Sequence, residues 1–424
     1  MRLSAQKAIQ AIKKNGRGSY TIPTQRLYPF QWNWDSGFTA LGLSHFDKQQ
    51  AWLEIQTLLA SQWKDGMVPH IVFHVDDPDY FPGPEVWQIN ARPATSGHSQ
   101  PPILASIILK IIERGTSHDL KRAGTIFPKL MAYHRWFASA RDPHKTGVIG
   151  IIHPWESGRD NCPDWDIAMD PIVIPDNMQT YERRDVSHID INQRPTQTQY
   201  DKFITILEFA RRTGWDHRTI YSDGLFLMAD PGVQFIFLRA SRDLLKLSEL
   251  LGQGNACSEI QEWINRFSSG SEWLWNDAVG GYCARDIRTG QFSDAITNAS
   301  MLCFYGDVGT ATQKASMLEH CRRILKICRY GMPSWDPEHA KFDARRYWRG
   351  PVWAIMNYMI ANGLKNNGEN LVALRIISDT QHLIESYGMA EYFDPHNGIG
   401  LGGDDFSWTA AIYLENCCDS DTPH

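Results

Sequence analysis

Two segments of the chain set carboxylates among glycine, proline and aromatic residues, a composition more typical of a pocket wall than of a core. The first is His153-Pro154-Trp155-Glu156-Ser157-Gly158-Arg159-Asp160, and the second is Gly388-Met389-Ala390-Glu391-Tyr392-Phe393-Asp394-Pro395. A protonated carboxyl and an ionised carboxylate facing each other across an aromatic pocket can cleave a glycosidic bond. One gives a proton to the leaving oxygen; the other activates water or attacks carbon. The difference in proton affinity comes from the surroundings, because an acid buried against aromatics resists ionisation while a solvated partner does not. As a bare pattern the pair is unspecific: a chain with 48 acidic residues offers many such pairs, and a lone carboxylate more often caps a helix or closes a salt bridge.

The aromatic content narrows the chemistry. The chain holds 16 Trp, 15 Tyr and 18 Phe, and many stand beside charges rather than inside apolar runs, as in Trp32-Asn33-Trp34-Asp35, Trp155-Glu156, Trp335-Asp336 and Tyr347-Trp348-Arg349. A ring face next to a hydrogen-bonding charge suits a sugar, which has an apolar C–H face and a rim of hydroxyls, whereas core aromatics keep charges away. Metal chemistry has weaker support. His70 and His74 are spaced to share a helix face but have no third ligand nearby in sequence, so packing or substrate contact is the preferred reading. The run Asp164, Asp166, Asp170 lacks the glycine and terminal glutamate of a calcium loop.

These segments must be positioned by a scaffold that the periodicity reads as helical. Phe237, Ala240, Leu244, Leu247 and Leu251 form an apolar stripe, as do Trp52, Ile55, Leu58 and Leu59. Helices are expected near 4–14, 37–63, 102–114, 119–139, 198–213, 256–268, 310–328, 351–366, 369–387 and 405–416. The best strand signal is a hairpin from Gly281-Tyr282-Cys283-Ala284-Arg285-Asp286 through Thr289-Gly290 into Gln291-Phe292. About a dozen helices with little sheet and no self-similar repeat predict an all-α closed toroid rather than a solenoid. Two long irregular stretches, 67–101 and 142–197, are rich in Pro, Gly and Asp yet carry tryptophans. Such lengths are uncommon unless functional, and they are expected to be lids over one end of a single-domain barrel, residues 1–424.

Composition removes other classes. With 42 Lys+Arg against 48 Asp+Glu, a net charge of −6 and no basic run, the chain has no face for nucleic acid or an anionic membrane. No apolar stretch approaches a membrane span, and the N-terminus has no secretory apolar core, so the expected location is cytoplasmic. Cys162, Cys257, Cys283, Cys303, Cys321, Cys328, Cys417 and Cys418 form no C-x-x-C pair, as expected of reduced, mostly buried thiols. The oligomeric state is left open, a homo-oligomer included.

Five motifs in order extend the reading: Leu27-Tyr28-Pro29-Phe30-Gln31-Trp32-Asn33-Trp34-Asp35-Ser36; Trp155-Glu156-Ser157-Gly158-Arg159-Asp160-Asn161; Gln193-Arg194-Pro195-Thr196 before Tyr200-Asp201; Arg346-Tyr347-Trp348-Arg349-Gly350-Pro351-Val352-Trp353; and Glu391-Tyr392-Phe393-Asp394-Pro395. Together they resemble glycoside hydrolase family 63, and more narrowly its bacterial mannosylglycerate and glucosylglycerate hydrolase branch, over nearly the whole chain from about Tyr20 to Glu415. The E-S-G-x-D piece alone is shared by several inverting helical-barrel glycosidases, trehalases included. The resemblance implies an (α/α)6 barrel and an inverting α-glycosidase whose small-molecule substrate is a glucoside or mannoside of glycerate. It implies Asp160 as general acid, Glu391 as general base, and no cofactor. By the same resemblance Trp32, Asp35, Gly158, Arg194, Trp348 and Trp353 line the sugar subsite, while Tyr28, Trp34, Gln100, Tyr347 and, from the first long loop, Tyr80 hold the leaving group.

The chain departs from the branch at Cys162 and Asp164, where a Ser and a basic residue are more usual, and at Gly97-His98-Ser99-Gln100-Pro101. Neither change touches the carboxylate pair, and both bear on a leaving-group subsite. The residues by themselves also leave open Trp353 as core, Arg194 as a partner of Glu156, and Gln100 as a cap for a helix starting at Pro101. Other readings are an α-glucosidase acting on another small disaccharide or oligosaccharide end, a sugar-binding barrel without activity, and a barrel epimerase using His70, His74, His98 and His153.

Overall fold

The computed structural model describes residues 3–418. Twelve helices alternate between an outer and an inner layer. The outer set is α1 (Leu3–Asn15), α3 (Lys48–Ala60), α5 (Ser117–Ala140), α7 (Gly254–Gly270), α9 (Ala311–Ile327) and α11 (Asn370–Tyr387). The inner set is α2 (Asn33–Leu43), α4 (Leu104–Glu113), α6 (Pro231–Leu250), α8 (Cys303–Gly306), α10 (Ala354–Asn366) and α12 (Ser407–Cys418). The inner helices touch in the order α2, α4, α6, α8, α10, α12 and back to α2, which closes the ring. The toroid expected from helix count is therefore present as an (α/α)6 barrel.

Layer follows from side-chain pattern. All eleven residues of α2 are buried, consistent with a helix surrounded by protein. Outer α7 buries Ile260, Trp263, Ile264 and Phe267, a stripe at i, i+3, i+4 and i+7, and gives its other face to solvent. Helix starts are fixed by side chains: Thr116 with Asp119 and Thr310 with Gln313 form capping boxes, and Asp230 caps α6 through the N–H groups of Gly232 and Val233.

Three expectations need correction. The helix read across 37–63 is two helices, turned at Ser44–Asp47, where the Asp47 side chain caps α3 by accepting from Gln50 N at 3.0 Å. The inner helix α8, four residues long and directly following a 3-10 turn at Ser300–Leu302, has no helical stripe and lies outside the expected helices. The hairpin at 281–292 closes through the bridge Arg285↔Phe292, but Gly281–Tyr282 pairs with Trp275–Asn276, and Arg285–Asp286 joins Met228–Ala229 beside Gly150–Ile151.

The loops at one end are tied down by short strands. Gln31–Trp32, Ile71–Phe73 and Ala94–Thr95 form one antiparallel sheet with Trp32 opposite Ile71 and Val72 opposite Thr95. Tyr392–Phe393 pairs with Gly400–Leu401, and Val352 bridges Phe393. These pairings bring the motifs around Trp32, Val352 and Tyr392, far apart in sequence, to one mouth of the barrel.

Candidate active site

The cavity at that mouth has two connected chambers. The inner one is walled by Trp34, Asp35, Gln100, Gly158, Glu391, Phe406 and Trp408. The outer one is walled by residues that include Tyr80, Trp155, Arg184, Asp185, Arg194 and Tyr200. Tyr28, Trp32, His70, Asp160 and Tyr347 face both. Asp160 thus stands where the chambers meet.

Local structure explains how Asp160 arrives there. A 3-10 turn at Pro154–Ser157 starts on the His153 imidazole, whose Nδ1 accepts from Trp155 N at 3.0 Å, and ends at Gly158 in a left-handed conformation, φ 68°. A Cβ at Gly158 would lie 2.4 Å from Trp34 Cζ2, so only glycine allows the turn to pass this indole. Glu156 faces away from the cavity, into the protein. Its carboxylate accepts from Arg141 Nη2 at 2.6 Å and Nε at 2.9 Å, from Ser99 N at 3.2 Å and from Ile152 N at 3.0 Å. It clamps both long loops to the end of α5. Asp160 has no such partner: its nearest donor is the Tyr347 hydroxyl, 3.4 Å from Oδ2. Burial raises its pKa to about 7, with the Glu391 charge adding to the effect against the opposing Arg194 cation.

Glu391 is held differently. It is 1% exposed, and its carboxylate accepts from Arg194 Nη2 at 2.8 Å and Nη1 at 3.3 Å, from Tyr28 Oη at 3.0 Å and from Gly403 N at 3.0 Å. Gly402 (φ 71°) keeps this backbone close, since a Cβ there would meet Glu391 Oε2 at 2.4 Å. Arg194 is therefore the ion-pair partner of Glu391, not of Glu156. A hydrogen-bonded path, Asp160 to Tyr347 (3.4 Å), Tyr347 to Tyr28 (3.3 Å) and Tyr28 to Glu391 (3.0 Å), links the carboxyls. It bounds their separation below about 10 Å, compatible with the roughly 6.5–9.5 Å that leaves space for water between two carboxyl groups.

Asp35, on the first turn of α2, is the third carboxyl of the inner chamber. Burial holds its pKa well above the usual range, reinforced by the charges of Glu391, Asp160 and Glu54. Of the three carboxyls only Glu391 is ion-paired, with Arg194, so burial and mutual repulsion favour retention of protons on Asp35 and Asp160. Tyr28 and Tyr347 are likewise kept protonated by burial, and Tyr347 sits at φ 42°, uncommon for a residue with a side chain.

The expected site residues divide by position. Trp32, Tyr28 and Tyr347 lie at the junction; Trp34, Asp35, Gln100 and Gly158 in the inner chamber; Tyr80 and Arg194 in the outer. The chambers do not split along the sugar and leaving-group assignments given above for Trp34, Gln100 and Arg194. Gln100 does not cap the helix that follows it, since α4 begins at Leu104; its Oε1 instead accepts from Trp34 N, in the first turn of α2, at 3.3 Å. Trp348 and Trp353 line neither chamber. They stack on each other at 3.7 Å and 3°, almost fully buried, with Trp353 against Tyr392 at 4.6 Å and its indole N–H donating to Tyr347 O at 3.2 Å. They form a stack behind the wall that carries Tyr347.

Arg184, Asp185, Phe406 and Trp408 line the cavity without a sequence assignment, whereas the sequence reading gives His70 as packing or substrate contact. His70 faces both chambers, with Trp155 in the outer wall and Trp408 in the inner one. His70, His98 and His153 form a column of stacked imidazoles with centroids 4.9 and 5.0 Å apart, each with its pKa pushed down chiefly by burial. The His70 and His74 pair does not share a helix face, because Ile71–Phe73 is a strand; His74 instead stacks on Tyr20 at 4.2 Å. Among the described residues no group of three or more His, Cys, Asp or Glu is arranged to hold a metal. The departures at Cys162 and Asp164 are buried outside both chambers. Arg159 Nη1 donates to Cys162 Sγ at 3.1 Å, and its Nη2 to Asp164 at 2.9 Å and to the α6 cap Asp230 at 2.8 Å.

The helical barrel, with carboxyls on two chambers of an indole-walled cavity, is the framework of a glycoside hydrolase. Residues 28–409 match the model of the mannosylglycerate hydrolase MGH1-like glycoside hydrolase domain, and the chain belongs to that family. It is 43% identical to a mannosylglycerate hydrolase of Thermus thermophilus over 96% of this chain and 99% of the relative. It is 32% identical to a glucosylglycerate hydrolase of Mycolicibacterium hassiacum over 97% of each. The crystal structure of the family 63 mannosylglycerate hydrolase from Thermus thermophilus in complex with Tris and D-glycerate superposes with a TM-score of 0.93 at 41% identity, covering 97% of this chain and 99% of that one. Among the described residues no helix is long and apolar enough to cross a membrane.

Proposed function

We propose that this chain hydrolyses the α-glycosidic bond between glucose or mannose and glycerate, with Asp160 as proton donor and Glu391 as the base for the attacking water. The observation that carries this reading is the place of Asp160: a carboxyl with a pKa near 7, without an ion-pair partner, at the junction of two chambers, where a bond spanning them would lie. As the bond from the anomeric carbon to oxygen breaks, the Asp160 proton passes to that oxygen and glycerate departs. Water adds to the anomeric carbon from the other face and loses a proton to Glu391. The free sugar leaves with its anomeric configuration inverted. Glu391 is suited to its part by position, clamped by Arg194, Tyr28 and Gly403 on the inner chamber. The relatives' names supply the choice of glycerate. Segments 67–101 and 142–197 act as lids of one catalytic domain, contributing Tyr80, Arg184 and Asp185 to the outer wall.

The test is product analysis on glucosylglycerate and mannosylglycerate by proton NMR. An α-linked substrate should first give the β-sugar; first release of the α-sugar would overturn the role of Glu391 as base. Asp160→Asn and Glu391→Gln should each lower kcat by about a hundredfold to ten-thousandfold with unchanged circular dichroism. Near wild-type turnover in either variant rejects that residue's role.

A further inference from the structure

The outer chamber has two cationic side chains, Arg194 and Arg184. Arg194 is 1% exposed and committed to Glu391 and Tyr28. The carboxylate of Asp185 in the same wall is matched by the fork of Arg183, at 3.1 and 2.7 Å. Arg184 differs from both. Its guanidinium makes a two-point contact with Asp77, Nη1 to Oδ2 and Nη2 to Oδ1, each 2.7 Å, and lies 5.6 Å from the centre of the Tyr80 ring. The pair joins the two long loops, Asp77 from one and Arg184 from the other, with side chains 17% and 21% exposed for Arg184 and Asp77. The pair keeps an edge toward the chamber, and a planar guanidinium with further N–H donors can bind a second carboxylate beside or in place of the first.

We propose that Arg184 is the specificity residue that reads the negative charge of the leaving group, with Asp77 holding its place when the chamber is empty. The inference rests on the glycerate reading above and deepens it. Arg184 touches the carboxylate, whose charge does not change as the bond to the anomeric carbon breaks, so its contribution appears in binding and is the same in the ground and transition states. Tyr80, under the guanidinium, keeps the fork in the plane in which it meets the ligand.

The experiment compares two substrates differing only in that charge, glucosylglycerate and glucosylglycerol, in the wild type, Arg184→Gln and Asp77→Ala. Arg184→Gln should raise KM for glucosylglycerate by about ten- to a hundredfold, the worth of a charge-assisted contact, with kcat little changed and the glucosylglycerol constants unmoved. Asp77→Ala, which keeps the cation and removes the competing carboxylate, should leave that KM equal or lower. An unchanged KM in Arg184→Gln, an equal loss on both substrates, or the same KM rise in Asp77→Ala would each overturn the proposal, the last two by showing a purely structural lid contact. Calorimetric binding of D-glycerate to the wild type and Arg184→Gln keeps the two readings apart. If the wild type turns over neither glycerate glycoside, the proposed function fails, while glycerate binding lost in Arg184→Gln upholds the anion site and equal binding in both overturns it.

Discussion

The hydroxyl of Tyr347 stands 3.4 Å from Oδ2 of Asp160 and 3.3 Å from the hydroxyl of Tyr28, so the residue nearest the proposed proton donor also reaches toward Glu391. This contact acts against burial: it favours ionised Asp160, whereas burial and the Glu391 charge favour the protonated form. As a proton donor, Asp160 works while protonated, and activity should fall as pH rises through its pKa of about 7. Tyr347→Phe removes the contact and should move the alkaline limb of kcat/KM to higher pH. A pH–rate profile measures it; an unmoved limb, or one shifted down, contradicts Asp160 as the group that titrates there.

Gly158→Ala tests the closeness of the turn to the inner chamber. The new Cβ would sit 2.4 Å from Trp34 Cζ2, and the left-handed backbone, φ 68°, disfavours a side chain. Either the indole moves into the chamber or the turn moves Asp160. The expected cost is about 1–3 kcal/mol of stability together with a fall in kcat/KM. Denaturant titration and steady-state kinetics on the same sample measure both, and a variant with wild-type values would show that the turn has slack.

The outer helices and the catalytic motifs were legible for different reasons. Amphipathic stripes such as Ile260, Trp263, Ile264 and Phe267 write the outer layer into the sequence, while α8 has four buried residues and no solvent face, so no period marks it. The break between α2 and α3 falls in the polar stretch Ser44-His45-Phe46-Asp47-Lys48, where Asp47 is a capping signal that a continuous helical reading runs through. Indoles beside charges marked the cavity region correctly in Trp32, Trp34 and Trp155. The same signature in Trp348 marks a stack with Trp353 behind the wall, because adjacency to Arg349 does not say which face the ring presents. His70, Arg184 and Asp185 reach the cavity by loop placement, which leaves no local pattern.

Glu54 carries a pH dependence of stability that is separate from catalysis. It is fully buried, accepting from Ser36 Oγ at 2.6 Å and Gln31 Nε2 at 3.0 Å, and burial raises its pKa to about 7. Because the folded pKa exceeds the unfolded value of 4.5, its contribution is fully present below pH 4.5 and is lost as pH rises to about 7, after which both states are ionised. The loss is on the order of 3 kcal/mol. Glu54→Gln should flatten the fall in Tm across that window relative to the wild type. Parallel curves for the two proteins would show that Glu54 does not titrate there.

Arg141 and Glu156 offer the sharpest test of how the loops are held. With 0% and 4% of their side chains exposed, the pair is buried, and removing only the cation leaves a carboxylate without compensation. Arg141→Met should cost about 3–5 kcal/mol. A buried pair replaced as a whole by apolar residues is often neutral or stabilising, but Glu156 also accepts from Ser99 N and Ile152 N, one from each long loop. The double variant Arg141→Met with Glu156→Leu leaves those two N–H groups without an acceptor. It should therefore stay destabilised, by about 2 kcal/mol or more, and lose activity as the turn carrying Asp160 loosens. Denaturant unfolding of both single variants and the double, with kcat on each, measures this. Recovery of full stability and turnover in the double variant would mean that Glu156 serves Arg141 alone and that the loops are held elsewhere.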